Sequence, residues 1–208
     1  MPLYVNPMSE TGLQNRTSRT REMVTAALLA ALLAASAWIS IPVGAVPVTL
    51  QVFIVLLAGL LLSPRGAFTA VSVYLLLGAA GLPVFAGGLG GTGVLAGPTG
   101  GYLWGFALGA AAVAWVRGRR ALAWSRVAAD VLALATGVTV IYLAGWFQLA
   151  AVTGMGVWPA FAVGVAPFLV IDIAKAAVAL GVARALVRAG VAGQIPPSSR
   201  VSHVRPSV

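Results

Sequence analysis

The chain has no cysteine, one histidine and four carboxylates among its 208 residues. Without cysteine, disulfides, thiolate nucleophiles and cysteine-bound metals are excluded. The one histidine, His203, lies in a polar tail, which argues against a histidine metal cluster or a histidine triad. Charge of either sign is scarce, at 8% of residues, against roughly a quarter in ordinary soluble domains. Hydrophobic residues make up 60% of the chain, and the mean hydropathy is +0.99. Such a composition describes one polytopic membrane domain. The net charge of +9 would direct a soluble protein to nucleic acid. Here its meaning depends on where the cations sit, and no nucleic-acid partner is expected.

Apolar runs predict an all-α bundle of six transmembrane helices near residues 23–41, 49–63, 67–86, 98–116, 127–151 and 159–187. Residues 1–22 and 188–208 read as polar tails around a membrane domain at 23–187. The second run is shorter than the roughly 20 residues a bilayer core needs, so neighbours must shield its ends. Twelve of the thirteen cations lie in alternate connections or tails. They are Arg16, Arg19 and Arg21, then Arg65, then Arg117, Arg119, Arg120 and Arg126, then Arg184, Arg188, Arg200 and Arg205. The connections at 42–48, 87–97 and 152–158 carry no charge. Because cytoplasmic loops collect Lys and Arg, both termini are expected in the cytoplasm of a prokaryotic cell. Trp38, Trp146 and Trp158 then fall at outer helix ends, and Trp115 and Trp124 flank the basic inner loop. Arginines before an apolar run ending in Ala35-Ser36-Ala37 imitate a cleavable signal. Cleavage would leave five helices and break the charge alternation.

Eight glycines and no charge fill the sixteen residues Gly87–Tyr102. A phosphate cradle needs a preceding strand and a lysine or ribose-binding acid nearby, and the sequence offers neither. Charge asymmetry places the run outside as a lid whose backbone amides approach a ligand, or as a flexible loop with no ligand. Gly91 within it, and Thr99 and Tyr102 at the next helix start, are candidate ligand contacts. Pro98 is expected to open that helix, with Thr99 serving its first turn.

Two ridges of small residues follow the four-residue repeat of close helix packing. Gly101, Gly105 and Gly109 form one, read as internal packing. Ala26, Ala30 and Ala34, flanked by Ala27, Ala31 and Ala35, form the other, which suits either the fold or a partner subunit. Thr49 and Gln51 are the polar side chains of the first connection, as ligand contacts or, for Thr49, as a helix cap. Asp130 reads as an acid favoured at a helix N-terminus.

Asp172 and Lys175 stand apart, because each costs roughly 2.5–3.5 kcal/mol to insert at membrane depth. Their i, i+3 spacing lets them pair on one helix face, toward the interior. They are the leading candidates to bind a polar substrate, with a purely structural ion pair as the rival.

Pro47-Val-Thr-Leu-Gln51, Leu82-Pro-Val-Phe-Ala-Gly-Gly, Gly97-Pro-Thr-Gly-Gly-Tyr102 and Asp172-Ile-Ala-Lys175 occur in this order. Together they resemble the BioY family, the biotin-specific substrate-binding (S) components of energy-coupling factor (ECF) transporters, over residues 23–187. The resemblance implies a six-helix S component that captures biotin outside without catalysis or cofactor. It also implies delivery through a transmembrane coupling protein and ABC-type ATPases, with the helix-1 alanines facing that coupling protein. No Gly-x-x-x-x-Gly-Lys-Ser/Thr occurs in the sequence, so ATP use would belong to partners. A carrier of another vitamin or small carboxylate is the alternative. An intramembrane enzyme is disfavoured, since its one deep acid is paired with a lysine.

Overall fold

The computed structural model describes residues 7–43, 46–119 and 125–190. Helices dominate. In chain order they are α1 (Pro7–Ser36), α2 (Gln51–Leu61), α3 (Pro64–Ala79), α4 (Thr92–Ala96), α5 (Gly100–Gly118), α6 (Arg126–Thr153), α7 (Val157–Gly164) and α8 (Leu169–Arg188). Strands β1 (Ser40–Val43) and β2 (Val46–Thr49) form an antiparallel pair between α1 and α2. Among the described residues, two segments, 126–153 and 157–188, are long and apolar enough to cross a membrane by themselves.

The six expected helices correspond to α1, α2, α3, α5, α6 and the α7–α8 pair, with four corrections. First, α1 starts at Pro7 and ends at Ser36 rather than spanning 23–41. Second, the 42–48 connection holds a hairpin. Its β-branched residues favour extended backbone, and Pro42 lies opposite Pro47. Facing prolines fit a non-hydrogen-bonded pair of the ladder, where their missing N–H groups cost nothing. Third, the last helix is broken: a 3₁₀ turn at Ala166–Phe168 separates α7 from α8. Pro167 at its centre cannot donate to the preceding turn and crowds the carbonyl four residues back. Asp172 therefore sits in the first turn of α8, not in the middle of one long helix. Fourth, α5 begins at Gly100, after Pro98, and Thr99 makes no side-chain cap bond.

Short α2 solves its length problem by position. Nine of its eleven residues are buried, including Leu56 and Leu60 at full burial, so it is apolar on every side. It packs against α1, α3, α5, α6 and α8. The glycine ridge of α5 lies on α6. A Cβ at Gly101 would stand 2.2 Å from the Ala144 carbonyl oxygen, and one at Gly105 2.9 Å from Ile141 Cα. These backbones meet at a distance only glycine allows, so the ridge serves internal packing.

The two alanine ridges of α1 differ in burial. Ala30 is 6% exposed, and Ala26 and Ala34 pack on the core. Ala27, Ala31 and Ala35 are exposed instead, in line with Val24, Leu28 and Leu32. Ala30 is thus a core contact of the bundle, and Ala26 and Ala34 are partly buried beside it.

Asp130 is also corrected. It lies beyond the first turn of α6 and joins three helices. Arg117 of α5 donates to its Oδ1 at 3.2 Å and Arg184 of α8 to its Oδ2 at 3.0 Å, while Arg117 also reaches the Leu60 carbonyl at the end of α2. Nearby, Glu22 of α1 accepts from the Ser63 N–H at 3.1 Å, and Ser63 caps α3 by accepting from Gly66 N–H at 3.1 Å. Outside the Asp172–Lys175 pair, the described charges from residue 16 onward gather at this one end of the bundle.

Candidate functional site

At the opposite end, where Asp172 and Lys175 are the charged residues among those described, the bundle encloses a cavity of about 250 Å³. Three connections roof it: the hairpin, the glycine run and the α7–α8 break. Val46, Val48, Phe85, Phe106, Ile141 and Phe168 supply apolar wall. Thr49, Gln51, Thr99, Tyr102, Tyr142, Asp172 and Lys175 supply polar groups. Six of the seven residues singled out from sequence are therefore brought together, although they come from three separate stretches of chain.

Gly91 is the seventh, and it does not line the cavity. Its N–H donates to the Gly78 carbonyl at 2.7 Å, and its φ of 96° is open to glycine but strained for other residues. It anchors the run rather than contacting the space below. The run is folded into a hydrogen-bonded cap. Phe85 N–H bonds to the Leu89 carbonyl at 2.9 Å across a turn with positive φ at Gly87 and Gly88. Helix α4 follows, and Gln148 of α6 donates to the Leu95 and Gly97 carbonyls at 2.8 Å each.

The polar groups are closely matched. Lys175 Nζ donates to Asp172 Oδ1 at 2.6 Å, and Tyr142 O–H donates to Asp172 Oδ2 at 2.6 Å. Asp172 is 3% exposed, so each carboxylate oxygen has a partner in place of water. Tyr102 donates from α5 to the Gly164 carbonyl at 2.7 Å, which ties the end of α7 to the bundle. Gly145 leaves the notch for that ring: a Cβ there would stand 2.3 Å from it. At the hairpin side, Thr49 donates to Gln51 Oε1 at 3.1 Å and accepts from Gln51 N–H at 3.3 Å. The Gln51 amide in turn donates to Tyr74, whose ring stacks edge-on against Phe85. Thr49 thus serves the helix start and the cavity wall at once.

Among the described residues no group of three or more His, Asp or Glu is placed to hold a metal ion. The cavity instead combines apolar wall with one neutral ion pair and oriented amides and hydroxyls. That suits a small, mostly apolar molecule carrying a few hydrogen-bonding groups.

Sequence reasoning missed Tyr142, Tyr74 and Gln148. Each had a visible signal, a polar group inside an apolar helix, which must find a partner in a bilayer. The identity of that partner was not visible.

The BioY family model matches residues 8–191. A probable biotin transporter BioY of Pyrococcus horikoshii is 42% identical over 168 residues, covering 81% of this chain and 97% of that protein. The biotin transporter BioY of Thermotoga maritima is 43% identical over 160 residues, covering 76% and 91%. The crystal structure of the S component for biotin from an ECF-type ABC transporter superposes with a TM-score of 0.76. Its identity is 23%, with 83% of this chain and 93% of that one covered, so it shows the same fold.

Proposed function

The chain belongs to the BioY family, and from that premise we propose that it takes up biotin as the substrate-binding component of an ECF transporter. It is a membrane protein and a transporter, not an enzyme. One observation carries the substrate reading: the neutral Asp172–Lys175 pair with Tyr142, set in the wall of an otherwise apolar cavity. Biotin has an apolar bicycle and chain, a ureido group with two N–H donors and one carbonyl, and a carboxylate. Asp172, Lys175, Thr49, Gln51, Thr99 and Tyr102 are its proposed contacts, and Gly91 holds the cap above it. The test is equilibrium binding of labelled biotin to the purified protein with thiamine and riboflavin as competitors. Biotin alone should displace the label; displacement by another vitamin would move the assignment to that compound.

Both termini are proposed to be cytoplasmic, with the cavity opening outward. The support is that Arg65, Arg117, Arg119, Arg184 and Arg188 lie at the end away from the cavity. Arg119 lies over the Trp115 ring at 3.7 Å, an arrangement suited to a membrane interface. Energy would come from partner ABC-type ATPases through a coupling protein. Its proposed docking surface is the alanine face of α1, with Ala26, Ala30 and Ala34 beside the exposed Ala27, Ala31 and Ala35, whose small side chains allow close helix approach. Ala31→Leu should abolish co-purification with the coupling protein while leaving biotin binding intact. Retained co-purification would place the coupling protein elsewhere.

A further inference from the structure

We propose that Tyr142 is a specificity residue whose hydroxyl reads a ureido N–H of the substrate as a hydrogen-bond acceptor. This rests on the biotin reading and deepens it. A phenol carries one proton and two lone pairs. Here the proton is fixed: it points to Asp172 Oδ2 at 2.6 Å, and the carboxylate, held by Lys175 on its other oxygen at 2.6 Å, has no proton to return. Tyr142 is 8% exposed and lines the cavity. What its oxygen offers the cavity is therefore lone pairs only.

Its neighbours sharpen the choice of ligand group. Asp172 adds further acceptor capacity on one side, and Lys175 retains two N–H donors on the other. A carboxylate approaching Tyr142 and Asp172 would set oxygen lone pairs against oxygen lone pairs. A ureido group fits the trio, with an N–H on the Tyr142 oxygen and its carbonyl toward Lys175. The ureido end of biotin, not its carboxylate, thus belongs at α8, and Tyr142 on α6 rejects ligands that lack the N–H. Sites built around a buried acceptor discriminate in this way because the unmatched acceptor is left without a partner.

The test uses the full chain and three ligands: biotin and the two isomers methylated on one ureido nitrogen. The native protein should bind at least one isomer about a hundredfold more weakly than biotin. Tyr142→Phe should weaken biotin binding about tenfold and cut the penalty for that isomer to about tenfold. A merely structural tyrosine would lower the affinity for all three ligands by one common factor. That result overturns the proposal, as does an unchanged biotin affinity in Tyr142→Phe. Should Tyr142→Phe fail to fold, the native protein decides by itself: methyl penalties under threefold for both isomers overturn the proposal. A native protein that binds no biotin refutes the substrate reading instead.

Discussion

Replacing Lys175 by methionine, of similar shape, removes one member of the buried pair from the cavity wall and leaves the Asp172 carboxyl group with Tyr142 as its remaining partner. The two side chains are 11% and 4% exposed, and their charged atoms stand 2.6 Å apart. At an effective dielectric of about 20, unit charges this close attract by about 6 kcal/mol. Desolvation offsets part of that attraction, and deleting one member of a buried pair costs about 3–5 kcal/mol. In a chain of this size each kcal/mol is about 2–4 °C, so the unfolding midpoint should fall by roughly 6–20 °C. The double variant Asp172→Asn with Lys175→Met removes both charges and should recover most of that loss, because a neutral pair needs no compensation. Biotin binding should not recover. Charge-assisted hydrogen bonds contribute about 1.5–3 kcal/mol each, so the double variant should bind biotin at least about tenfold more weakly than native. Thermal unfolding in detergent and equilibrium binding of labelled biotin separate the two effects. The reasoning fails if Lys175→Met unfolds within 2 °C of the native protein, or if the double variant is no more stable than the single one.

Other parts of the structure give sharper local tests. Gly101→Ala, whose Cβ would meet the Ala144 carbonyl at 2.2 Å, should destabilise the bundle by about 1–3 kcal/mol in thermal unfolding. Gly93→Ala, with nothing within 4 Å of its Cβ, should cost under about 1 kcal/mol in the same assay. Gln148→Leu removes two bonds to the cap, at Leu95 and Gly97. Hydrogen exchange should then rise about tenfold across residues 87–100 with α2 unchanged. Asp130→Asn weakens the link between Arg117 and Arg184 and should lower stability by about 2–4 kcal/mol, leaving biotin affinity within about twofold.

The burial of the α1 alanines and the break at Pro167 were hidden in the sequence for related physical reasons. A soluble helix reveals its inner face because water selects polar residues for the outer one. In α1 lipid imposes no such selection, and both the buried Ala26–Ala30–Ala34 ridge and the exposed Ala27–Ala31–Ala35 ridge are apolar. Two equally small ridges then look alike in the sequence. The Pro167 break was hidden for a related reason. Transmembrane helices tolerate proline when neighbours satisfy the freed backbone, so the residue alone did not announce a break.

Sequence by itself determined the compartment, the number of main helices, the charged end and the Asp172–Lys175 pair. Each of these depends on composition or on spacings of a few residues, which chain connectivity enforces. Tertiary structure alone decided that Tyr142 meets Asp172 across 30 residues, that Asp130 joins α5 to α8, that Gln148 clasps the glycine run, and which alanines of α1 face outward. Those are contacts between segments distant in sequence. In a bilayer every buried polar group must find a partner, but only the packing of the helices settles which one.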